Sequence, residues 1–171
     1  MGIAASVLVV VVVLGASRFF SFVRSEVKTG QQVASDIIRV DPAAPDQEQA
    51  LKQAILDSST DAGQVTKLII VDAPVGKDRE VKVADTVTVN YVGLLKNGPE
   101  FDNSYKKKQP FSFTVGAGEV IKGWDEGIIG MKEGGTRILV VPASLGYGNT
   151  MVGPVPADST LIFSIELLSI R

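Results

Sequence analysis

The amino-acid sequence predicts an α+β fold in which an antiparallel β-sheet wraps around one short α-helix. From residue 66 to the end, short runs rich in Val, Ile, Thr and Phe are separated by Gly and Pro, as strands are separated by turns. Within this part, only residues 121–129 carry apolar side chains at helical spacing. The simplest arrangement is therefore a sheet bent over that single helix. An N-terminal hydrophobic helix and a linker precede the sheet, which gives predicted domains of 1–24, 25–65 and 66–171.

Five strands are expected in the C-terminal domain, because β-branched and aromatic residues cluster there between turn residues. They cover residues 68–71, 86–95, 111–115, 137–141 and 161–168. The sequence KNGP at residues 96–99 follows the second strand and contains the Asn-Gly pair that favours positive φ angles. The second strand is therefore expected to end in a tight turn.

Residues 3–16 are almost wholly apolar and include an unbroken run of five valines. Fourteen helical residues reach about 21 Å, which is short of a hydrocarbon core of about 30 Å. Extension through residues 19–23 completes the span if Arg18 lifts its guanidinium into the headgroups. Every backbone amide in lipid must be paired within the segment, and this requirement overrides the low helix propensity of valine. We therefore expect a single-pass membrane anchor over residues 1–24.

A cleaved signal peptide is the alternative interpretation of this segment. The small residues at 15–17 offer a cleavage site, but the usual positively charged start is missing. No Lys or Arg precedes the apolar run, whereas Arg18, Arg24 and Lys28 follow it. Taken alone, this charge bias keeps the folded domain in the cytoplasm.

The segment between the anchor and the sheet has the composition of a spacer. Residues 29–64 are rich in Gln, Asp, Ala, Ser and Pro, and the sequence DPAAP at 41–45 favours an extended chain. Asp46 can cap a short helix that runs to Leu56, because the apolar residues within 50–55 fall on one face. Such a helix is either a marginal element of the linker or a docking site for a partner.

The composition excludes several kinds of chemistry, because the chain contains neither His nor Cys. Without Cys there is no disulfide and no thiolate nucleophile, and without His the commonest general base and metal ligand is missing. The net charge is −2, and the lysines at 106–108 form the only basic cluster. No extended surface is therefore available to neutralise a phosphate backbone, and we expect no nucleic-acid partner.

Two further patterns carry no functional prediction. The glycines of GAG at 116–118 begin a dinucleotide-like pattern, but Ile121 stands where the third glycine would be, and no βαβ pattern surrounds it. Asp125 and Glu126 are neighbouring carboxylates, yet adjacent residues on a helix point in different directions. We expect these two side chains to form a solvated face.

Six short blocks of aromatic and aliphatic residues follow one another along the C-terminal domain. They are VNYVG (89–93), FD (101–102), QPFSF (109–113), EVIKGW (119–124), LGYG (145–148) and LIFSIELL (161–168). Together they resemble the FKBP-type peptidyl-prolyl cis-trans isomerases. The resemblance implies an FKBP-like fold and isomerase activity that needs no cofactor. It also implies that the partners are proline-containing unfolded or nascent polypeptides, with a macrolide immunophilin ligand as an additional expectation.

The resemblance also implies roles for individual residues. Tyr91, Asp102, Ile121 and Tyr147 are implied to be catalytic. The Ile121 backbone amide would hold a substrate carbonyl and Tyr147 would donate its hydroxyl at the rim, while Asp102 would face the twisted carbonyl or orient Tyr91. Trp124 is implied to be the floor of a proline pocket. The implied substrate-binding residues around it are Phe101, Phe111, Val120, Val155 and Phe163. Without the resemblance, each apolar member of this set reads as an ordinary core residue.

A pocket without a nucleophile can still catalyse this reaction, because an X-Pro bond isomerises by rotation alone. The intrinsic barrier is about 18–20 kcal/mol, and planarity depends on amide resonance that water stabilises. A dry, aromatic-walled pocket withdraws that solvation and can bind the twisted amide better than either planar form. The alternative function is a non-catalytic module that holds proline segments, as a chaperone or adaptor at the membrane.

The chain departs from the small single-domain members of the family at two places. The loop 148–160 is about one residue shorter than theirs, with Met151 and Val152 in place of a more polar tip, and Leu145 stands where they often have an aromatic residue. Client choice and macrolide affinity are the properties that these changes affect. By family analogy an anchored isomerase works outside the cytoplasm, which opposes the charge bias, so the side of the membrane stays open.

Overall fold

The computed structural model describes residues 37–43, 45–60, 62–72 and 75–171. The predicted anchor at 1–24 lies outside the described residues. In the ranges that the structure describes, no helix is long and apolar enough to cross a bilayer. The predicted C-terminal domain, by contrast, is described except for residues 73 and 74.

The described chain is built on a seven-stranded sheet. The strands are β1 (Ile37–Val40), β2 (Leu68–Asp72), β3 (Thr86–Leu95), β4 (Glu100–Asn103), β5 (Phe111–Thr114), β6 (Thr136–Val141) and β7 (Leu161–Ile170). The helices are α1 (Gln47–Asp57), α2 (Ser104–Lys107) and α3 (Lys122–Gly127), with a 3-10 turn at Ala143–Leu145. The order across the sheet is β1-β2-β6-β7-β3-β4, and β5 also pairs with β3.

The two ten-residue strands β3 and β7 form the centre of the sheet. They pair antiparallel along almost their whole length, from Val87 opposite Ile170 to Leu95 opposite Leu161. Strand β3 also pairs with β5 over its first half and with β4 over its second half. Burial alternates along β7, so every second side chain faces the core, as expected for a strand with one face covered.

Strands β1 and β2 pair in parallel, so the described sheet is mixed rather than wholly antiparallel as predicted. A parallel pair needs a long crossover, and α1 supplies it. Asp46 caps α1 as expected, by accepting a hydrogen bond from the Gln49 N–H at 3.0 Å.

The apolar face of α1 packs on the sheet and forms a second hydrophobic core. Its buried members are Val40, Ala54, Val65, Ile69, Val71 and Val140. The expectation of a linker over 25–65 is therefore wrong for β1 and α1, which belong to the folded unit. The partner-docking hypothesis for the helix is also wrong for this face, because its own chain covers it.

Helix α3 lies against the opposite face of the sheet, where it approaches β6 closely. A Cβ atom at Gly123 would lie 2.4 Å from Val141 Cγ1, and one at Gly127 would lie 2.7 Å from Leu139 Cδ1. Two glycines on one side of the helix are therefore required for this distance. The close approach buries Trp124, with 4% of its surface exposed, in the main core. The buried members of this main core are Leu68, Ile70, Val81, Val87, Val89, Phe113, Val115, Trp124, Ile128, Met131, Leu139, Val141, Val155, Leu161, Phe163, Ile165, Leu167 and Ile170.

Arg137 ties the end of α3 to the sheet. Its guanidinium is 1% exposed and binds the Asp72 carboxylate through Nε at 2.6 Å and Nη2 at 3.0 Å. Its Nη1 donates to the carbonyl oxygens of Gly127 at 2.7 Å and Ile129 at 3.0 Å. The Gly127 carbonyl is one that a helix end leaves unpaired, and Ile129 lies just beyond that end. The arginine thus stabilises the end of α3 at Gly127, two residues before the predicted end.

Candidate active site

Trp124 forms the floor of a cluster of aromatic rings. The ring centroids of Tyr91, Phe163 and Phe113 lie 5.1, 5.2 and 5.6 Å from the indole. Phe111 lies 6.3 Å away and keeps 39% of its surface exposed, which places it at the rim. Most of these contacts are edge-to-face, the arrangement that aromatic rings prefer.

One wall of the cluster depends on a glycine in β3. Phe101, on β4, packs edge-on against Phe163 of β7 with ring centroids 5.6 Å apart. The backbone of Gly93 lies beneath both rings, and a Cβ atom there would be 2.8 Å from Phe101 Cζ. The bare backbone at this position is therefore what lets the two rings meet.

Asp102 connects Tyr91 to a lysine at the edge of the cluster. The Tyr91 hydroxyl donates to Asp102 Oδ2 at 2.7 Å, and Lys107 of α2 forms an ion pair with Oδ1. Burial opposes ionisation of Asp102, but hydrogen bonds from Lys107, Tyr91 and the Asn103 N–H outweigh it and hold the pKa of Asp102 below its ordinary value. Burial and the bond to Asp102 raise the pKa of Tyr91, so this hydroxyl stays protonated at neutral pH.

Ile121 presents a backbone donor beside the indole. Its carbonyl oxygen accepts from the N–H groups of Trp124 at 2.9 Å and Asp125 at 3.3 Å, which fixes the start of α3. Its own N–H has no hydrogen-bond partner among the described residues. Val120 and Ile121 both pack on the main core. A donor held rigidly next to an apolar floor is suited to bind a ligand carbonyl.

Tyr147 and Val155 belong to the loop that follows β6. Tyr147 packs on the main core, and burial together with the charge of Asp102 raises the pKa of its hydroxyl. Val155 is buried in the same core and pairs with Val152 in a short bridge. The residues between them form an exposed tip, where Met151 keeps 73% of its surface accessible.

Eight of the ten predicted site residues belong to or pack on the core that contains Trp124, Phe111 lies beside the indole, and Asp102 binds Tyr91. The structure also adds residues that the sequence analysis missed. Phe113 stacks beside Phe111 and faces the indole, and Lys107 pairs with Asp102. Ser104 is 1% exposed, and its hydroxyl oxygen accepts from the Tyr91 N–H at 2.8 Å. Period-two spacing from Phe111 could have indicated Phe113, whereas the other two depend on the position of α2.

The expectation of a solvated face at Asp125 and Glu126 is wrong for the first of the two. The Asp125 carboxylate is half-buried and accepts hydrogen bonds from the N–H groups of Gly116 at 2.8 Å and Gly118 at 3.1 Å. Glu126 is exposed, as predicted. Across the described ranges, no group of three or more acidic side chains is placed to hold a metal ion.

Comparison with known proteins identifies the family of this domain. A family model described as FKBP-type peptidyl-prolyl cis-trans isomerase matches residues 77–168. An FK506-binding protein of Neisseria meningitidis serogroup B is 48% identical over 104 residues, which are 60% of this chain and 95% of that protein. FK506-binding protein 2 of Podospora anserina is 52% identical over 104 residues, covering 60% of this chain and 56% of that protein.

Other relatives and solved structures extend the match. FK506-binding protein 4 of Gibberella zeae is 51% identical over 107 residues, but these are only 21% of its length. The crystal structure of AtFKBP13 is 36% identical with a TM-score of 0.58, covering 67% of this chain and 98% of that one. The crystal structure of FkpA from Escherichia coli is 33% identical with a TM-score of 0.58, covering 73% of this chain and 64% of that one. The predicted FKBP-like α+β fold is confirmed, and the chain belongs to the FKBP-type peptidyl-prolyl cis-trans isomerases.

Proposed function

We propose that this protein accelerates rotation about X-Pro bonds in unfolded or newly made polypeptides, with the proline ring held over Trp124. The observation that carries the proposal is the aromatic enclosure, in which Tyr91, Phe113 and Phe163 place ring centroids 5.1 to 5.6 Å from the indole. These aromatic walls are as apolar as the five-membered ring of proline. The polar groups near it, the Ile121 N–H and the hydroxyls of the tyrosines, are few and fixed.

The chemistry follows from the polarity of this enclosure. A planar amide carries partial negative charge on its oxygen through resonance, and this charge is lost as the C–N bond twists. Aromatic and aliphatic walls solvate the planar form less well than water does, so they favour the less polar twisted form. A differential of about 6 kcal/mol corresponds to roughly four decades in rate.

The polar groups then orient the client without breaking a bond. The Ile121 N–H holds a client carbonyl, and Tyr147 donates a second hydrogen bond from the rim. Tyr147 serves as this donor at neutral pH, because its raised pKa keeps the hydroxyl protonated. The Tyr91 hydroxyl is also protonated, but it donates its proton to Asp102. Asp102 is ionised at neutral pH, because its pKa is lowered, and it orients Tyr91 by accepting the hydrogen bond from its hydroxyl.

A pair of tyrosine variants tests the proposal with a matched control. Tyr91 and Tyr105 each donate a hydroxyl to a carboxylate at 2.7 Å, but Tyr105 binds Glu166 and contacts none of the aromatic rings described above. We expect Tyr91→Phe to lower kcat/KM on a Leu-Pro peptide about tenfold, the cost of one hydrogen bond to a charged group. Tyr105→Phe should leave it unchanged.

The same assay separates the enzyme from the alternative of a non-catalytic binding module. An enzyme accelerates isomerisation over buffer when the full chain is assayed in detergent. A module that only holds proline segments would bind the peptide saturably, lose affinity in the Tyr91 variant, and give the uncatalysed rate throughout. That outcome would remove the catalytic proposal.

We also propose that residues 1–24 hold the domain at a membrane as a single-pass anchor. The support is the sequence alone, in which residues 3–16 are almost wholly apolar. Carbonate extraction of cell membranes should leave the full chain in the pellet. A mature N-terminus near residue 17 would instead show a cleaved signal peptide, and protease protection in intact cells would report the side of the membrane.

A macrolide immunophilin ligand is proposed to occupy the same pocket. The support is the similarity to proteins named FK506-binding proteins and the apolar lining around Trp124. FK506 should inhibit isomerisation competitively with the peptide. The exposed Met151 and Val152 at the loop tip are expected to set the affinity, and full activity at saturating FK506 would exclude this ligand.

A further inference from the structure

The loop between β5 and α3, residues 115–121, is held at both ends by one acidic residue. The Asp125 carboxylate accepts from the N–H of Gly116 through Oδ1 at 2.8 Å and from the N–H of Gly118 through Oδ2 at 3.1 Å. At the other end of the loop, the Asp125 backbone N–H donates to the Ile121 carbonyl at 3.3 Å. Asp125 therefore closes the loop into a ring.

The local backbone explains why a carboxylate fits here. Gly116 and Gly118 have φ angles of 80° and 73°, a conformation that L side chains rarely adopt. Such turns direct nearby N–H groups to one side, where they form a concavity for an anion. The Asp125 carboxylate occupies this concavity with both oxygens. A second carboxylate, that of Glu119, accepts from the Thr114 N–H at 2.9 Å and holds the loop on its β5 side.

We propose that Asp125 is a positioning residue for isomerisation, acting through the Ile121 backbone amide; this inference rests on the role proposed above for that amide. Asp125 follows Trp124 directly, so the residue that shapes the loop is rigidly joined to the floor of the pocket. The loop ends at Val120 and Ile121, which pack on the main core beside the indole. Loss of the carboxylate would let the Ile121 N–H move relative to Trp124. Misplacement of a positioning group by about 1 Å costs about a hundredfold in rate, so a partial release should cost about tenfold.

The test compares Asp125→Asn with Glu126→Gln. The second variant removes the same charge at the next residue, which is exposed. Asparagine keeps the size of the side chain but turns one acceptor into a donor, which then faces an N–H group. We expect Asp125→Asn to lower kcat/KM about tenfold with a change in Tm of only a few degrees. Glu126→Gln should match the wild type, and Asp125→Glu, which keeps both acceptor oxygens, should recover most of the activity.

Amide hydrogen exchange provides a readout that does not depend on catalysis. In Asp125→Asn, exchange at Gly116 and Gly118 should become faster, while exchange in β7 stays unchanged. Wild-type kcat/KM in the Asp125→Asn variant, or a loss no larger than its unfolded fraction explains, would overturn the proposal. If the wild type itself fails to accelerate isomerisation, the proposed function is wrong. Unchanged exchange at Gly116 and Gly118 in Asp125→Asn would show, independently of any activity, that Asp125 does not hold the loop.

Discussion

Gly93→Ala tests whether bare backbone is required for Phe101 to meet Phe163. The new methyl would lie 2.8 Å from Phe101 Cζ and 3.0 Å from Phe163 Cε1. An ordinary contact between carbon atoms is about 3.6 Å, so the Phe101 ring must move by about 0.8 Å. Phe163 belongs to the main core and Phe101 packs on it, with ring centroids 5.6 Å apart. Inserting a methyl into such a core costs about 1–3 kcal/mol.

The assay is chemical unfolding of the full chain in detergent, together with kcat/KM on a proline peptide. We expect Gly93→Ala to lower the free energy of unfolding by about 2 kcal/mol and to lower kcat/KM about tenfold, because Phe101 lines the pocket. Phe101→Leu removes the ring that clashes, so the double variant should be less destabilised than the sum of the two single variants. An unchanged unfolding midpoint, or strictly additive losses, would refute the geometric reasoning.

Three other predictions follow from single contacts. Ala84→Gly should raise the free energy of unfolding by about 0.5–1 kcal/mol. Ala84 has a φ of 71°, and this conformation costs a residue with a Cβ atom about 1 kcal/mol. A lower urea midpoint would contradict this prediction. Arg137→Met should lower that free energy by about 3 kcal/mol, since it leaves Asp72 and two carbonyls without their buried donor; a loss within 0.5 kcal/mol would be the contrary result. Lys107→Met should move the acid limb of the pH profile of kcat/KM to higher pH, because Lys107 helps to depress the pKa of Asp102. The sign follows from the lowered pKa of Asp102. Activity that needs ionised Asp102 is present above the ordinary carboxyl pKa of about 4 and is lost as pH falls through the pKa in the folded state. An acid limb that does not move in Lys107→Met would exclude this role of Lys107.

Local patterns in the sequence were sufficient to predict the central strands. Strand β3 was predicted at residues 86–95 and is found there, and β7 was predicted from residue 161 and extends to Ile170. Both are rich in β-branched and other apolar residues, which is a signal that each strand carries by itself. The start of α1 was also predictable, because the Asp46 cap is a local hydrogen bond.

Elements that depend on distant residues were missed. Strand β1 has only four residues, and its partner β2 lies about thirty residues further along the chain. Nothing within residues 37–40 indicates that pairing. The apolar face of α1 was visible in the sequence, but not the sheet that covers it. Residues 25–65 therefore had the composition of a linker although part of the range is folded.

The residues of the candidate site were likewise only partly predictable from the sequence. The aromatic residues were identified because the family motifs name them, and the fold then places them around Trp124. Asp102 was also identified from the motifs, but Lys107 and Asp125 were not identified as supporting groups, because their roles depend on tertiary position. Lys107 belonged to a lysine run that was considered only as a basic cluster, and Asp125 belonged to a carboxylate pair expected to face water. Lys107 forms an ion pair with Asp102, and the Asp125 carboxylate accepts hydrogen bonds from the N–H groups of Gly116 and Gly118.

Intrinsic fluorescence tests the central claim directly, because Trp124 is the only tryptophan in the chain. The full chain would be titrated with a Leu-Pro peptide and with the same peptide carrying Ala in place of Pro. If a proline ring is held over the indole, the Leu-Pro peptide should change the emission saturably, with a dissociation constant that matches its inhibition of isomerisation, and the Ala peptide should not. No change with either peptide, or equal changes with both, would contradict the placement of the proline site at Trp124.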